Sequence, residues 1–241
     1  MASERLKKII EENKKVEKES PYNFCDRWCE RCPHQTQDRC TLYQDELERK
    51  LTCIAHGRDE DDPEITEEVL RWQHEPAQEA LEKLEEALGE EIEEIDLEAM
   101  DSPEFEKIKK HIRFVESHSL PKIAQSYHRK AWEFLEKIDF KKNPAASDLA
   151  DDFEIIEWYH TLLPAKLQRA LAGFHEPISE GDMSLHDVVA QLAVCKKAIH
   201  LSTESLRKLK GKYAEHQVLI IELIALLQNI LGQIDTLEKS I

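Results

Sequence analysis

The sequence predicts an all-α protein, and composition, turn-former content and periodicity each point that way. Charged residues make up 34% of the chain and hydrophobic ones 41%, while only 6 Gly and 9 Pro are present. A sheet protein with many tight turns would draw more heavily on both turn formers. Four long segments, about 103–139, 147–174, 184–210 and 212–240, each carry an apolar stripe at the 3.6-residue period. In the second the stripe is Leu149, Phe153, Ile156, His160, Leu163, Leu167 and Leu171; in the fourth it is Tyr213, His216, Ile220, Leu223, Leu227, Ile230, Ile234 and Leu237. Short connections predict antiparallel neighbours, an up-down bundle of about four long helices. A small cysteine-rich metal-binding module and an acidic helix precede it.

The N-terminal residues 3–19 alternate Lys and Glu around Leu6, Ile9, Ile10 and Val16, a thin stripe that predicts a mostly exposed helix. Ser20-Pro21 ends it, because a residue before proline is pushed out of the helical region. The cysteine module runs from about Tyr22 to Cys40. A helix from Leu42 to roughly Ala55 follows, with Leu47, Leu51 and Ile54 on one side and a stop at Gly57. The breaker Arg58-Asp-Glu-Asp-Asp-Pro63 leads into an acidic segment with Val69, Trp72, Ala80, Leu84, Leu88, Ile92 and Ile95 at helical spacings. Ser102-Pro103, Lys142-Asn143-Pro144, Ser147 and Gly181-Asp182 mark the bundle's helix boundaries. The expected division is 1–57 for the N-terminal helix and cysteine module, 58–101 for the acidic connector, and 102–241 for the bundle.

Residues 59–101 hold 19 Asp and Glu against Arg71 and Lys83, so this one segment accounts for the chain's net charge of −17. Such a run reads first as a solvated helix face or linker, and second as a docking surface for a basic protein partner. Nucleic acid is excluded as a nonspecific partner, since its phosphates would be repelled. A membrane is not expected either: the richest apolar stretch, Val218 to Leu227, is interrupted by Glu222, short of the ~18 residues a span needs. The N-terminus has no apolar signal core, so a cytoplasmic location is expected. The sequence assigns no oligomeric state.

Five of the 6 cysteines fall within residues 25–53, and four have the arrangement Cys25-x3-Cys29-x2-Cys32-x7-Cys40. If Cys25 to Cys32 are helical, three thiols share a face, and Pro33 with the polar loop 34–39 can return Cys40 as a fourth ligand. Converging thiolates repel one another unless a cation holds them. Thiolate-only sets suit zinc or an iron–sulfur cluster. Disulfides are the alternative for an oxidising compartment, buried unligated cysteines are a second, though they rarely cluster in so polar a stretch, and a Cys29-x2-Cys32 redox dithiol is a third, though that motif ordinarily opens a helix after a strand.

The x3-x2 triplet also resembles the cluster motif of radical enzymes that use S-adenosylmethionine. That family places an aromatic residue before its last cysteine, where Arg31 stands here, and needs a β/α barrel, so the assignment is rejected. Tyr22, Phe24 and Trp28 are placed to shield a cluster, and Arg27, Arg31 and Arg39 to offset its negative charge. Cys53 and His56 read as a core cysteine and a surface histidine before they read as further ligands.

A second candidate lies in the bundle. Glu157 and His160 form an E-x2-H pair on one helix face, the arrangement used by carboxylate-bridged di-iron bundles. No second E-x2-H follows in the later helices, and the substitutes are Glu116, His118, His200, Glu204, His216 and Glu222. Glu222 stands out within Val-Leu-Ile-Ile-Glu-Leu-Ile-Ala-Leu-Leu, because a buried carboxylate must be paired, protonated or metal-bound. The expected cofactor is an iron–sulfur cluster or zinc at the cysteines, with a second metal in the bundle (Glu157, His160, Glu222, His216) as the further candidate. Two functions follow: a redox metalloprotein for electron transfer or sensing, or a non-enzymatic interaction scaffold stapled by zinc.

Overall fold

The structure, a computed structural model, describes residues 3–60, 62–69, 71, 75, 79, 83, 103–138, 148–174 and 183–241. Among these no strand occurs, and the all-α expectation is borne out. The chain forms two compact units, Met1–Trp28 with Lys107–Ile241, and Cys29–Glu106.

The first unit is built on α1 (Glu4–Glu19), α5 (Ser119–Ile138), α6 (Ala150–Phe174), α7 (Met183–Lys212) and α8 (Gln217–Glu238). α5, α6, α7 and α8 pack in a closed ring, α5 on α6, α6 on α7, α7 on α8 and α8 on α5. Side-chain pairs show that neighbours run antiparallel. Lys130 of α5 meets Glu222 of α8 while Ser119 meets Gln233, and on α6 and α7 Asp152 meets Lys208 while Arg169 meets Asp187. The apolar stripes supply the core. Phe153, Ile156, Leu163, Leu167 and Leu171 of α6, and Ile220, Leu223, Leu227, Ile230 and Ile234 of α8, are all buried. At Gly173 a Cβ would stand 2.9 Å from the Val188 side chain, so α6 and α7 approach there as only glycine allows.

α1 is mostly exposed, as expected, and buries only a thin stripe. Ser3 caps it, its Oγ accepting from the Leu6 amide at 3.0 Å. Leu6 and Ile9 are buried against Val189 of α7, while Val16 stays 45% exposed. Asn13 fixes the register: its Nδ2 donates to the His186 carbonyl at 2.9 Å and its Oδ1 accepts from His186 Nδ1 at 2.8 Å.

The expected single helix over 103–139 is two, α4 (Pro103–Ser117) and α5. Pro121 is the cause, since it can give no amide to Ser117 and the helix restarts just ahead of it. The break is tied off locally. His118 Nδ1 accepts from the Leu120 amide at 3.1 Å, and Lys122 donates to the Ser117 carbonyl at 2.9 Å. The fourth segment likewise opens with a 3-10 turn, Ala214–His216, before α8.

By length and composition one helix among the described residues, Ala214–Glu238 with mean hydropathy 1.6, is apolar enough to cross a membrane. Glu222, which interrupts its most apolar stretch, does not disqualify it, contrary to the expectation. Its apolar stripe is covered by α5 and α7, as in a core helix of a bundle.

In the second unit α2 (His34–Gln37) follows Cys32 and α3 (Thr41–Ala55) follows Cys40, with α3 ending just before the stop expected at Gly57, whose φ of +68° is left-handed. Residues 63–69 are helical. Of the acidic segment, Trp72, Ala80, Leu84, Leu88, Ile92 and Ile95 lie outside the described residues, as do the boundary signals Ser102, Lys142-Asn143-Pro144, Ser147 and Gly181-Asp182.

Candidate functional site

The cysteine segment begins in the first unit. After α1, Ser20-Pro21 turns the chain into a 3-10 turn, Pro21–Asn23, and residues 23–28 then lie along α6 and α7. Gln191 of α7 donates to the Asn23 carbonyl at 3.4 Å. Cys25 Sγ donates back to the Tyr22 carbonyl at 3.4 Å. Asp26, only 9% exposed, is the anchor. Its Oδ2 accepts from Tyr159 Oη and from Lys197 Nζ, each at 2.6 Å, and its carbonyl accepts from Trp158 Nε1 at 3.0 Å. Burial raises the Asp26 carboxyl, but hydrogen bonds from Lys197 and Tyr159 and the Lys197 charge outweigh it and hold the group below its usual range. Trp28 closes the contact, stacked on Trp158 with centroids 5.3 Å apart and edge-on to Tyr159 at 5.8 Å.

The stretch Cys25–Trp28 is not helical, which corrects the expectation that Cys25, Cys29 and Cys32 share one helix face. The cause is at Arg27, whose φ of +57° is left-handed, while Asp26 Oδ1 accepts from the Trp28 amide at 3.3 Å in an Asx-type turn.

The other three cysteines belong to the second unit. Cys29–Arg31 is a 3-10 turn in which the Cys32 amide donates to the Cys29 carbonyl at 3.1 Å. Pro33 then turns the chain as expected, into α2. Gln37, buried, donates through Nε2 to the Cys29 carbonyl at 2.8 Å, and the Cys40 amide donates to the Gln37 carbonyl at 3.1 Å. The start of the loop is thereby tied to its end, and Cys40 stands at the N-cap of α3. None of the six cysteines is disulfide-bonded. Among the described residues, no group of three or more His, Cys, Asp or Glu side chains converges to hold a metal ion. Cys53 is fully buried and His56 exposed, as their structural reading expected.

The bundle candidates form no group of three or more around one point among the described residues. Glu222 is exposed on the outer face of α8 and pairs with Lys130 at 2.6 Å, so the demand placed on a buried carboxylate never arises. His216, in the turn before α8, sits edge-on to Phe134 at 6.2 Å. His160 is buried, but its partners are main-chain carbonyls: Nδ1 donates to Glu157 O at 2.7 Å and to Ile156 O at 3.1 Å. That fixes the proton on Nδ1 and leaves Nε2 buried with no hydrogen-bond partner. Burial holds the ring below its usual range, against the two carbonyls.

One further feature explains why His128 stacks on His160 at 4.9 Å. Pro164 stands inside α6 and has no amide to give the His160 carbonyl four residues earlier. That carbonyl instead accepts from His128 Nδ1 at 3.2 Å.

Sequence reasoning missed Asp26, Tyr159, Trp158 and Lys197 as a unit. The only local signal was an acidic residue beside a cysteine, and the partners lie more than a hundred residues away. No protein family, curated protein or solved structure matches the chain.

Proposed function

We propose that this chain is a metal-binding helical protein in which Cys25, Cys29, Cys32 and Cys40 hold one centre, an iron–sulfur cluster or a zinc ion. With an iron–sulfur cluster its role is redox, electron transfer or sensing. The observation that carries the reading is the x3-x2-x7 run of cysteines in a short polar segment, a spacing suited to a thiolate ligand set that closes around a cation. The anchoring of Asp26 supports it. An irregular, polar segment gains nothing from burying a carboxylate on a helical bundle unless its position is worth fixing, and the thiol beside Asp26 is thereby held. In the following loop the Gln37 bond to the Cys29 carbonyl does the same for its own cysteines. Such supporting bonds orient ligands and are costly to lose at metal sites.

The proposal does not extend to Glu157, His160, His216 and Glu222: Glu222 pairs with Lys130 on the outer face of α8, and among the described residues these side chains form no group of three or more around one point. The test is the visible spectrum and metal content of the chain purified without oxygen. A brown protein with iron and inorganic sulfide supports the redox role, and a colourless one with a single zinc supports a structural centre. Neither metal, with all six thiols open to titration, sinks both.

A second reading has its own observation. α3 leaves Leu47, Leu51 and Ile54 at 37%, 56% and 56% exposure, an apolar stripe turned to solvent. An interaction scaffold stapled by zinc would use such a face to dock a protein partner. Leu51→Glu is expected to abolish that association without changing the metal content.

A further inference from the structure

Beside the contact of α1 with α7 the two helices leave a cavity of about 260 Å³, all of it within the first unit. Leu6 and Ile9 close the interface against Val189. Beyond Val189, Ala190 and Ala193 offer only methyl groups, and the gap over them is walled by Ile10 of α1 and by Phe24 of the segment that follows it. A mostly apolar recess with a few polar groups is the usual form of a small-molecule site, and this one falls below the ~300–1,000 Å³ of pockets that take drug-sized ligands.

The polar groups around it decide the ligand. Asn13 is committed to His186 through both ends of its amide. Lys197 holds Asp26 at 2.6 Å and Lys14 holds Glu11 at 2.8 Å, so each cation lining the cavity already has its carboxylate. Glu17 has no such partner. It lines the cavity and is exposed, while the ion pairs of α1 engage Glu4, Glu11 and Glu12 instead. What is left at the rim is one negative charge that can only accept hydrogen bonds. An organic anion would meet that charge without an uncommitted cation to offset it. An ammonium group, a donor only, answers it while an apolar tail covers the alanine floor.

We propose that the cavity between α1 and α7 is a binding site for a small organic amine with an apolar tail, whose ammonium pairs with Glu17. The site stands whether or not the cysteines hold a metal.

The full chain is titrated with n-hexylammonium chloride in about 0.15 M salt, where attraction to the acidic residues at large is screened, and the heat of binding is followed. One saturable equivalent is expected. Glu17→Gln should weaken it about fivefold, the upper end for an exposed ion pair. Glu136→Gln, the same charge change on the exposed side of α5, should leave it as it was. Ala193→Leu fills the recess and should abolish binding. Hexanoate, of the same tail length and opposite charge, should not saturate. Equal affinity in Glu17→Gln, binding that survives in a folded Ala193→Leu, or tighter uptake of hexanoate than of hexylammonium each overturns the proposal. So does the absence of saturable uptake by the unsubstituted chain. Should Ala193→Leu not fold, Ala193→Met is read by the same criteria.

Discussion

Asp26 and His160 are single residues whose burial makes stability depend on pH, and their windows do not overlap. The Asp26 carboxyl is depressed in the folded chain, so its contribution is present above the unfolded value of about 3.9 and is lost as pH falls through the folded one. Asp26→Ala is expected to cost about 1–3 kcal/mol at neutral pH, measured by urea unfolding, with the deficit shrinking in acid below about pH 4. His160 is also depressed, so its contribution is full above about pH 6.5 and declines below it as the unfolded chain takes up the proton. His160→Leu should flatten the slope of stability between about pH 6.5 and 5. The same substitution, and Glu157→Ala, should leave metal stoichiometry unchanged. Sequence alone placed His160 on the core stripe correctly. It could not show that the ring's acceptors are carbonyls of its own helix, because a histidine one turn from a glutamate reads the same whether it meets the carboxylate or the backbone.

At the scale of the helix, Pro164 and His128 form a pair that neither helix discloses by itself. A proline inside α6 opens one carbonyl, and a ring on α5 supplies the missing donor. His128→Phe is therefore expected to cost about 1 kcal/mol in the natural chain and close to nothing in a Pro164→Ala background, where the helix closes its own bond. Coupling of that size in a double-mutant cycle is the expected result, and additive effects would disprove the pairing. The apolar stripes of α6 and α8 were legible because burial on a helix follows one period, and nearly every residue named on them is buried. The break at His118 has its only sequence signal in Pro121, and the helical spacing of apolar residues on both sides of it across 103–139 masked it. The irregular backbone at Cys25–Trp28 was hidden from the sequence, because the thiol spacing is the same in a helix and in the Asp26–Trp28 turn that Arg27 and the contacts of Asp26 to α6 and α7 impose.

For the whole molecule the expectation concerns coupling between metal and fold. If the four thiolates hold the proposed metal, they do so only in the folded arrangement, and the free energy of metal binding then adds to that of folding. A chelator is expected to lower the unfolding midpoint of the chain as purified and to have little effect on Cys25→Ser. Asp26→Ala should release metal more readily than the unsubstituted chain, although Asp26 is no ligand; equal retention would dissociate the anchor from the centre. The reach of this coupling was hidden from the sequence, since Asp26 meets Lys197 across 171 positions. Local pattern carries helix and cap, whereas the identity of a distant partner is a property of the packed chain.

The near-parallel stack of Trp28 on Trp158, 5.3 Å apart with ring planes inclined by 17°, gives the molecule an internal optical label. Two indoles held that closely couple their transitions, and the resulting circular dichroism couplet vanishes once either ring swings away. Undocking of the cysteine-bearing strap could thus be timed in a stopped-flow instrument with no dye attached. The helices, whose signal arises from the backbone, would report separately on whether the bundle beneath had moved at all.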